Sequence, residues 1–127
     1  MIESILKMYK GNISLCEPLN IGEISNYDIP EELLNILKQT NGIKETMINP
    51  NTGIPMEISW IIYSYEEIIE WTKFYRDTYS IEGTIFSDDG ADTAYYMNTN
   101  GKIYSYDAIC QEKTYVADSL RSFFTLS

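Results

Sequence analysis

Three aspartates and a glycine form the densest group of potential metal ligands in this chain of 127 residues. Asp88, Asp89 and Asp92 surround Gly90, and carboxylate oxygens are the ligands that hard divalent cations prefer. The spacing is not that of an EF-hand loop, and no distal glutamate stands at the bidentate position. Acids around a glycine are also ordinary turn chemistry. We therefore expect a tight acidic turn that holds no metal and no cofactor.

A pair of glutamates, Glu66 and Glu70, lies one turn apart on a predicted helix. Two carboxylates of this kind could carry out acid–base chemistry on a glycosidic bond. No third polar group accompanies them, and the chain contains no histidine. The commonest general base and every histidine-based triad are therefore missing. The sequence predicts that the protein is not an enzyme, with a carboxylate-type enzyme as the least favoured alternative.

The negative charge of the chain is concentrated in one segment. Between Glu57 and Asp92 there are nine acids and two bases, so this segment carries −7 of the formal net charge of −10. Phosphate groups and anionic lipids are bound by Lys and Arg, so direct binding to nucleic acid or to a membrane is not expected. A basic protein is the partner that this charge favours.

Aromatic residues are the second candidate for recognition. Trp60 and Trp71 are either interface anchors or core residues, and their places in a strand and a helix favour the core. Tyr95 and Tyr104 lie on hairpin strands, where alternate side chains point to opposite faces, so outward tyrosines beside acids could contact a partner. The predicted partner-binding residues are Glu66, Glu70, Asp88, Asp89, Asp92, Tyr95, Tyr104 and Asp107.

The two cysteines and the termini indicate a cytoplasmic protein. Cys16 and Cys110 are far apart and fit no metal or redox spacing, so both are expected to be free, buried thiols. Residues 1–12 lack the apolar core and cleavage site of a signal peptide, and no apolar run reaches membrane-spanning length.

Local patterns predict an α+β fold. Pro30 suits the first turn of a helix that ends at Asn41-Gly42. Ser64 and Glu67 form a capping box at the start of a second long helix. The predicted order also includes strands over 57–63, 84–86, 93–97 and 102–106, an Asn-Gly hairpin turn over 98–101, and a closing helix over 117–126. We expect one domain over residues 1–127, with an antiparallel β-sheet flanked by helices.

This order of elements resembles the SUKH superfamily, named partly for a yeast regulator of cell-wall synthesis. The resemblance covers about residues 23–126 and depends on four segments, although Ala91 follows Gly90 where the family often has a second glycine. The segments are IPEELLNILKQTNG (29–42), WIIYSYEEIIEW (60–71), IFSDDGADTAYYMNTNGKIYSYD (85–107) and SFF (122–124).

The resemblance implies a binding protein, because the family has no shared catalytic motif. Bacterial members look like immunity proteins that neutralise toxins, many of them nucleases, and eukaryotic members act as regulatory scaffolds. The expected function is therefore that of an intracellular immunity protein, which binds a basic toxin domain, such as a nuclease, and occludes its active site. The alternative is a non-enzymatic regulatory or scaffold module of the same fold.

Overall fold

The computed structural model describes residues 1–10, 12–20, 22 and 29–125. It contains four helices and seven strands among these residues, and the predicted α+β class is confirmed. The elements are α1 (Ile2–Met8), β1 (Ile13–Leu15), α2 (Glu31–Leu37), β2 (Ile43–Ile48), β3 (Pro55–Ile62), α3 (Tyr65–Tyr79), β4 (Thr84–Asp88), β5 (Thr93–Met97), β6 (Ile103–Asp107), β7 (Glu112–Ala117) and α4 (Leu120–Phe123).

The strands form two antiparallel sheets. The first has the order β1-β2-β3, and the second is a meander with the order β4-β5-β6-β7. The tight turn between β5 and β6 contains Gly101 at φ 82°, as the Asn-Gly pattern predicted. β2 and β7 were not predicted, because most of their side chains are exposed or half-buried and neither strand shows a clear apolar alternation.

The end of the chain differs from the prediction of a closing helix over 117–126. Ala117 ends β7, where it pairs with Ile103, and α4 spans only Leu120–Phe123. Pairing with β6 therefore takes the residues that were expected to open the helix. Ser119 caps α4 by accepting the backbone N–H of Ser122 at 3.1 Å.

The two sheets meet along the edges of β3 and β4. The backbone N–H of Tyr63 donates to the carbonyl of Phe86 at 2.7 Å. The Ser87 hydroxyl donates to the carbonyl of Trp60 at 3.1 Å, and the N–H of Trp60 donates to Asp88 Oδ1 at 3.4 Å. Side chains of β4 thus satisfy backbone groups of β3 and join the two sheets.

Helices lie on both faces of the second sheet. Phe123 of α4 packs against Phe86 and Tyr95, whereas Tyr75 and Tyr79 of α3 pack against Tyr106. The buried core includes Ile5 of α1, Leu33 and Leu37 of α2, Ile68 of α3 and Leu120 of α4. The sheets therefore form the middle layer, and α3 covers one face of it.

Candidate partner-binding surface

Helix α3 begins at the capping box that the sequence predicted. Ser64 is extended at φ −64° and ψ 164°, and its hydroxyl accepts the N–H of Glu67 at 3.4 Å and donates to Glu67 Oε1 at 3.2 Å. Asn41 Oδ1 accepts the N–H of Tyr65, the first residue of α3, at 2.8 Å. The start of α3 is thereby held against the chain that follows α2.

An aromatic row crosses from β3 onto α3. It consists of Trp60, Tyr63, Trp71, Phe74 and Tyr75, with consecutive ring centroids 5.6–6.4 Å apart. Trp71 is 36 % exposed and Phe74 is 46 % exposed, although the rings lie in mutual contact. Large aromatic side chains that stay in contact with solvent are typical of interface hot spots.

The exposure of Trp71 differs from the prediction that the core would hold it. Ile68 is fully buried, and the Thr72 hydroxyl oxygen accepts the N–H of Ile85 at 3.0 Å, so these two residues face the sheet. Trp71 and Phe74 lie beside Ile68 and Thr72 around the helix axis, outside the side of α3 that contacts the sheet. Three aromatic residues within five positions, Trp71, Phe74 and Tyr75, could have indicated this, because the sheet-facing side of α3 cannot bury all three.

Asp88 lies beneath the aromatic row, and both of its carboxylate oxygens accept hydrogen bonds. Its carboxylate accepts the Tyr63 hydroxyl at 2.7 Å, the N–H of Gly90 at 2.9 Å and the N–H of Trp60 at 3.4 Å. Burial, followed by the hydrogen bond to Asp88, raises the pKa of Tyr63 well above its usual value. This carboxylate joins β3, β4 and the acidic turn, which we define as residues 88–92.

The other acids of the acidic turn are exposed. Asp89 Oδ1 accepts the N–H of Ala91 at 2.9 Å and that of Thr93 at 3.2 Å, so it shapes the turn. Asp92 is exposed, and its backbone carbonyl accepts the N–H of Ala108 at 3.2 Å. Gly90 has φ 82°, and a Cβ at this position would lie 2.9 Å from the carbonyl oxygen of Ile58. Glycine is required here by close approach and by conformation.

Glu66 and Glu70 are exposed on α3, and Glu67 is half-buried between them. Helix spacing places Glu70 beside Glu67 and Phe74. Burial raises the pKa of Glu67, while the hydrogen bond from Ser64 and the charge of Lys44 oppose that rise. These three carboxylates form an acidic border along one side of the aromatic row.

Lys44 is the cation at the β3 end of the aromatic row. It pairs across the strands with Trp60, and its Nζ lies 4.6 Å from the centroid of the indole ring. The same ammonium is 2.8 Å from Glu57 Oε2. This contact was not predicted, because β2 was not predicted.

The remaining predicted residues lie on different faces. Tyr95 packs against Phe123 of α4, whereas Tyr104 stacks with Tyr96 on the opposite face of the sheet. Asp107 Oδ1 accepts two backbone N–H groups in the turn between β6 and β7. Asp88 thus contacts two residues of the aromatic row, and helical spacing places Glu66 and Glu70 beside the part of the row on α3. Tyr95 lies on the other side of the sheet. A role of these residues in binding stays a prediction.

Within residues 1–10, 12–20, 22 and 29–125, no group of three or more acids and cysteines converges as metal ligands. Cys16 and Cys110 both carry free thiols, but the expected burial is wrong, because Cys16 is half-buried and Cys110 is exposed. None of the helices described here is long and apolar enough to span a bilayer.

The structure is thus an α+β domain with two antiparallel sheets and a capped helix that carries a partly exposed aromatic row. Residues 19–126 match the model of the SMI1 / KNR4 family (SUKH-1). The chain therefore belongs to this family, and the predicted relationship to the SUKH superfamily is confirmed. No curated protein and no solved structure gives a significant match.

Proposed function

We propose that the protein is an intracellular immunity protein that binds a basic toxin domain and occludes its active site. The observation that carries this proposal is the exposed aromatic row with its acidic border. Trp71 and Phe74 supply large, rigid contact areas, and Glu66, Glu67 and Glu70 supply the charge that attracts a basic surface. Membership of the SUKH-1 family supports the same role.

A nuclease is the class of toxin that this surface fits best. Nuclease active sites bind phosphate groups, so they present Lys and Arg around a cleft. Carboxylates at the border of the aromatic row would take the places of phosphates in that cleft, and the rings would exclude water from the contact. Neutralisation then needs no turnover by the immunity protein, which is proposed to be non-enzymatic.

The second candidate is a regulatory or scaffold module, and one observation favours it. The far end of the β2–β3 hairpin exposes a second group of large apolar side chains, away from α3. These are Met47, Ile48, Ile54, Met56 and Ile58. A protein that only neutralises a toxin needs one such surface, whereas a scaffold that joins two partners needs two.

The test is co-expression with the product of the neighbouring gene, which the proposal requires to be a basic toxin. Trp71→Ala with Phe74→Ala removes the proposed anchors, and Ile109→Ala with Tyr115→Ala removes two exposed side chains elsewhere. We expect the wild type and the control pair to restore growth of cells that express the toxin. The anchor pair should lose affinity by about thirtyfold or more.

Thermal melting of each purified variant shows whether it is folded before binding is compared. Equal affinity of a folded anchor variant would remove the aromatic row from the interface. Absence of binding between the wild type and the toxin would contradict the immunity role and favour the scaffold module.

A further inference from the structure

The ammonium group of Lys44 is held between an aromatic ring, that of Trp60, and a carboxylate, that of Glu57. The Lys44 ammonium lies 4.6 Å from the centre of the indole ring, which attracts cations through its negative face. Glu57 Oε2 accepts from the same ammonium at 2.8 Å. One aromatic face and one carboxylate are the components that bind Lys and Arg side chains in protein interfaces.

Lys44 is held only weakly in its contact with Trp60 and Glu57. The side chains of Lys44 and Glu57 are 27 % and 56 % exposed, and an ion pair with that access to water contributes little to stability. Both can therefore change partner without cost to the fold. The Glu57 hydrogen bond raises the pKa of Lys44, with further contributions from the charges of Glu57 and Glu67.

A cleft opens beside this contact, with room for a second long side chain. It has a volume of about 370 Å³ and lies between β3 and the acidic turn. Its walls include Lys44, Glu57, Trp60 and Asp88, and Gly90 forms part of the floor. The turn lies close to β3 here, because a Cβ at position 90 would be only 2.9 Å from the Ile58 carbonyl oxygen.

We propose that this cleft accepts an arginine side chain of the basic partner, which displaces Lys44 from Trp60 and Glu57; this inference rests on the proposed function. Arginine fits better than lysine for two reasons. Its planar guanidinium stacks on an indole face, and its fork of donors matches a carboxylate in a bidentate geometry. Lys44 then acts as an internal competitor that occupies the site until the partner arrives.

The probe is a short capped peptide, acetyl-Gly-Arg-Gly-amide, and its control is the same peptide with citrulline in place of arginine. Citrulline has nearly the same shape and no charge. The readout is the pair of tryptophan indole N–H signals in the NMR spectrum, assigned with Trp60→Phe and Trp71→Phe. We expect the arginine peptide to shift the Trp60 signal in a saturable way and the citrulline peptide to leave it unchanged.

Two variants test the competition. Lys44→Met keeps the aliphatic stem and removes the charge, so it should tighten peptide binding by about three- to tenfold, whereas Lys102→Met, on the β5–β6 hairpin, should not. Glu57→Gln should weaken binding of the peptide. The variant should remain folded, because the side chain of Glu57 is 56 % exposed. Equal shifts with both peptides, or unchanged affinity in Lys44→Met with the rest of its spectrum intact, would overturn the proposal.

The outcome is separable from that of the immunity role. If Trp71→Ala with Phe74→Ala abolishes neutralisation but arginine peptide does not shift the Trp60 signal, the aromatic row remains the interface and the arginine site is wrong. If the arginine peptide binds at Trp60 and no toxin is neutralised, the cleft is a guanidinium site and the immunity role is wrong.

Discussion

Two groups of carboxylates in the same acidic segment are used in different ways. In the acidic turn, Asp88 and Asp89 accept hydrogen bonds from backbone N–H groups, and Asp88 also accepts the Tyr63 hydroxyl. On α3, Glu66 and Glu70 are exposed, and neither takes part in an ion pair within the described part of the chain. The first group holds the fold together, whereas the second is accessible to a partner.

This difference shows that net charge alone does not locate a binding surface. Both groups contribute to the long-range field that attracts a basic protein. Only carboxylates without internal bonds can exchange water for a partner's Lys or Arg at no cost to the fold. Substitution of each group in turn should therefore separate stability from association.

The largest effect is expected for Asp88→Ala. It removes the acceptor of three donors, those of Tyr63, Trp60 and Gly90, at the joint between the two sheets. We expect the free energy of unfolding to fall by about 3 kcal/mol, measured by urea denaturation. Asp92→Ala, at an exposed position of the same turn, is the control and should change it by less than about 0.5 kcal/mol. Similar losses in both variants would mean that the turn has no special acceptor.

The second effect concerns association. Glu66→Gln with Glu70→Gln should leave the free energy of unfolding nearly unchanged and slow binding to the basic toxin about fivefold at low salt. The slope of the association rate against salt concentration should also decrease, because fewer charges attract the partner. Stopped-flow measurement gives both quantities.

The control for the Glu66→Gln and Glu70→Gln pair is Glu31→Gln with Glu32→Gln. This second pair removes the same charge from exposed positions of α2. If the control pair slows association as much, the effect is one of net charge and α3 has no special place in the encounter.

Local sequence signals predicted several elements of this comparison. The Ser64 capping box and the Asn-Gly hairpin each depend on residues within one turn, so neighbouring residues specify them. The strand before α3 was expected over 57–63 and is found at Pro55–Ile62. The location of Glu66 and Glu70 on an exposed helix face followed from helical spacing alone.

The role of Asp88 could not be predicted in the same way. Its partners Tyr63 and Trp60 lie 25 and 28 residues earlier in the chain. They reach the carboxylate only because the edge of β3 lies beside β4, which is a property of tertiary structure. The exposure of Trp71 and Phe74 has the same origin, since the width of the sheet decides how many aromatic residues α3 can bury.

The third effect tests the helix start that positions Glu66 and Glu70. Ser64→Ala removes the side-chain acceptor of the Glu67 N–H and should cost about 1 kcal/mol in the free energy of unfolding. Thr78→Ala, at an exposed position near the other end of α3, is the control. Affinity for the toxin should change only as far as the unfolded population requires. A strong loss of binding in folded Ser64→Ala would place the start of α3 within the interface.

The smallest effect concerns Glu67, which is half-buried like Asp88 but lies on α3 with Glu66 and Glu70. Burial raises its pKa, so the folded state holds the proton more tightly than the unfolded chain. Stability contributed by the protonated form is therefore lost as pH rises through that pKa. Glutamine cannot ionise, so the free energy of unfolding of Glu67→Gln should gain on that of the wild type between pH 4 and pH 7. The gain should be less than about 0.5 kcal/mol, because water screens the half-buried group.

Urea denaturation of both proteins at each pH measures this gain, and Glu66→Gln controls for the loss of one negative charge from the same segment. If Glu67→Gln instead loses stability relative to the wild type as pH rises, the hydrogen bond from Ser64 and the attraction of Lys44 outweigh burial. Glu67 would then belong with the carboxylates that stabilise the fold, and the division between the two groups would fall at Glu66 and Glu70 alone.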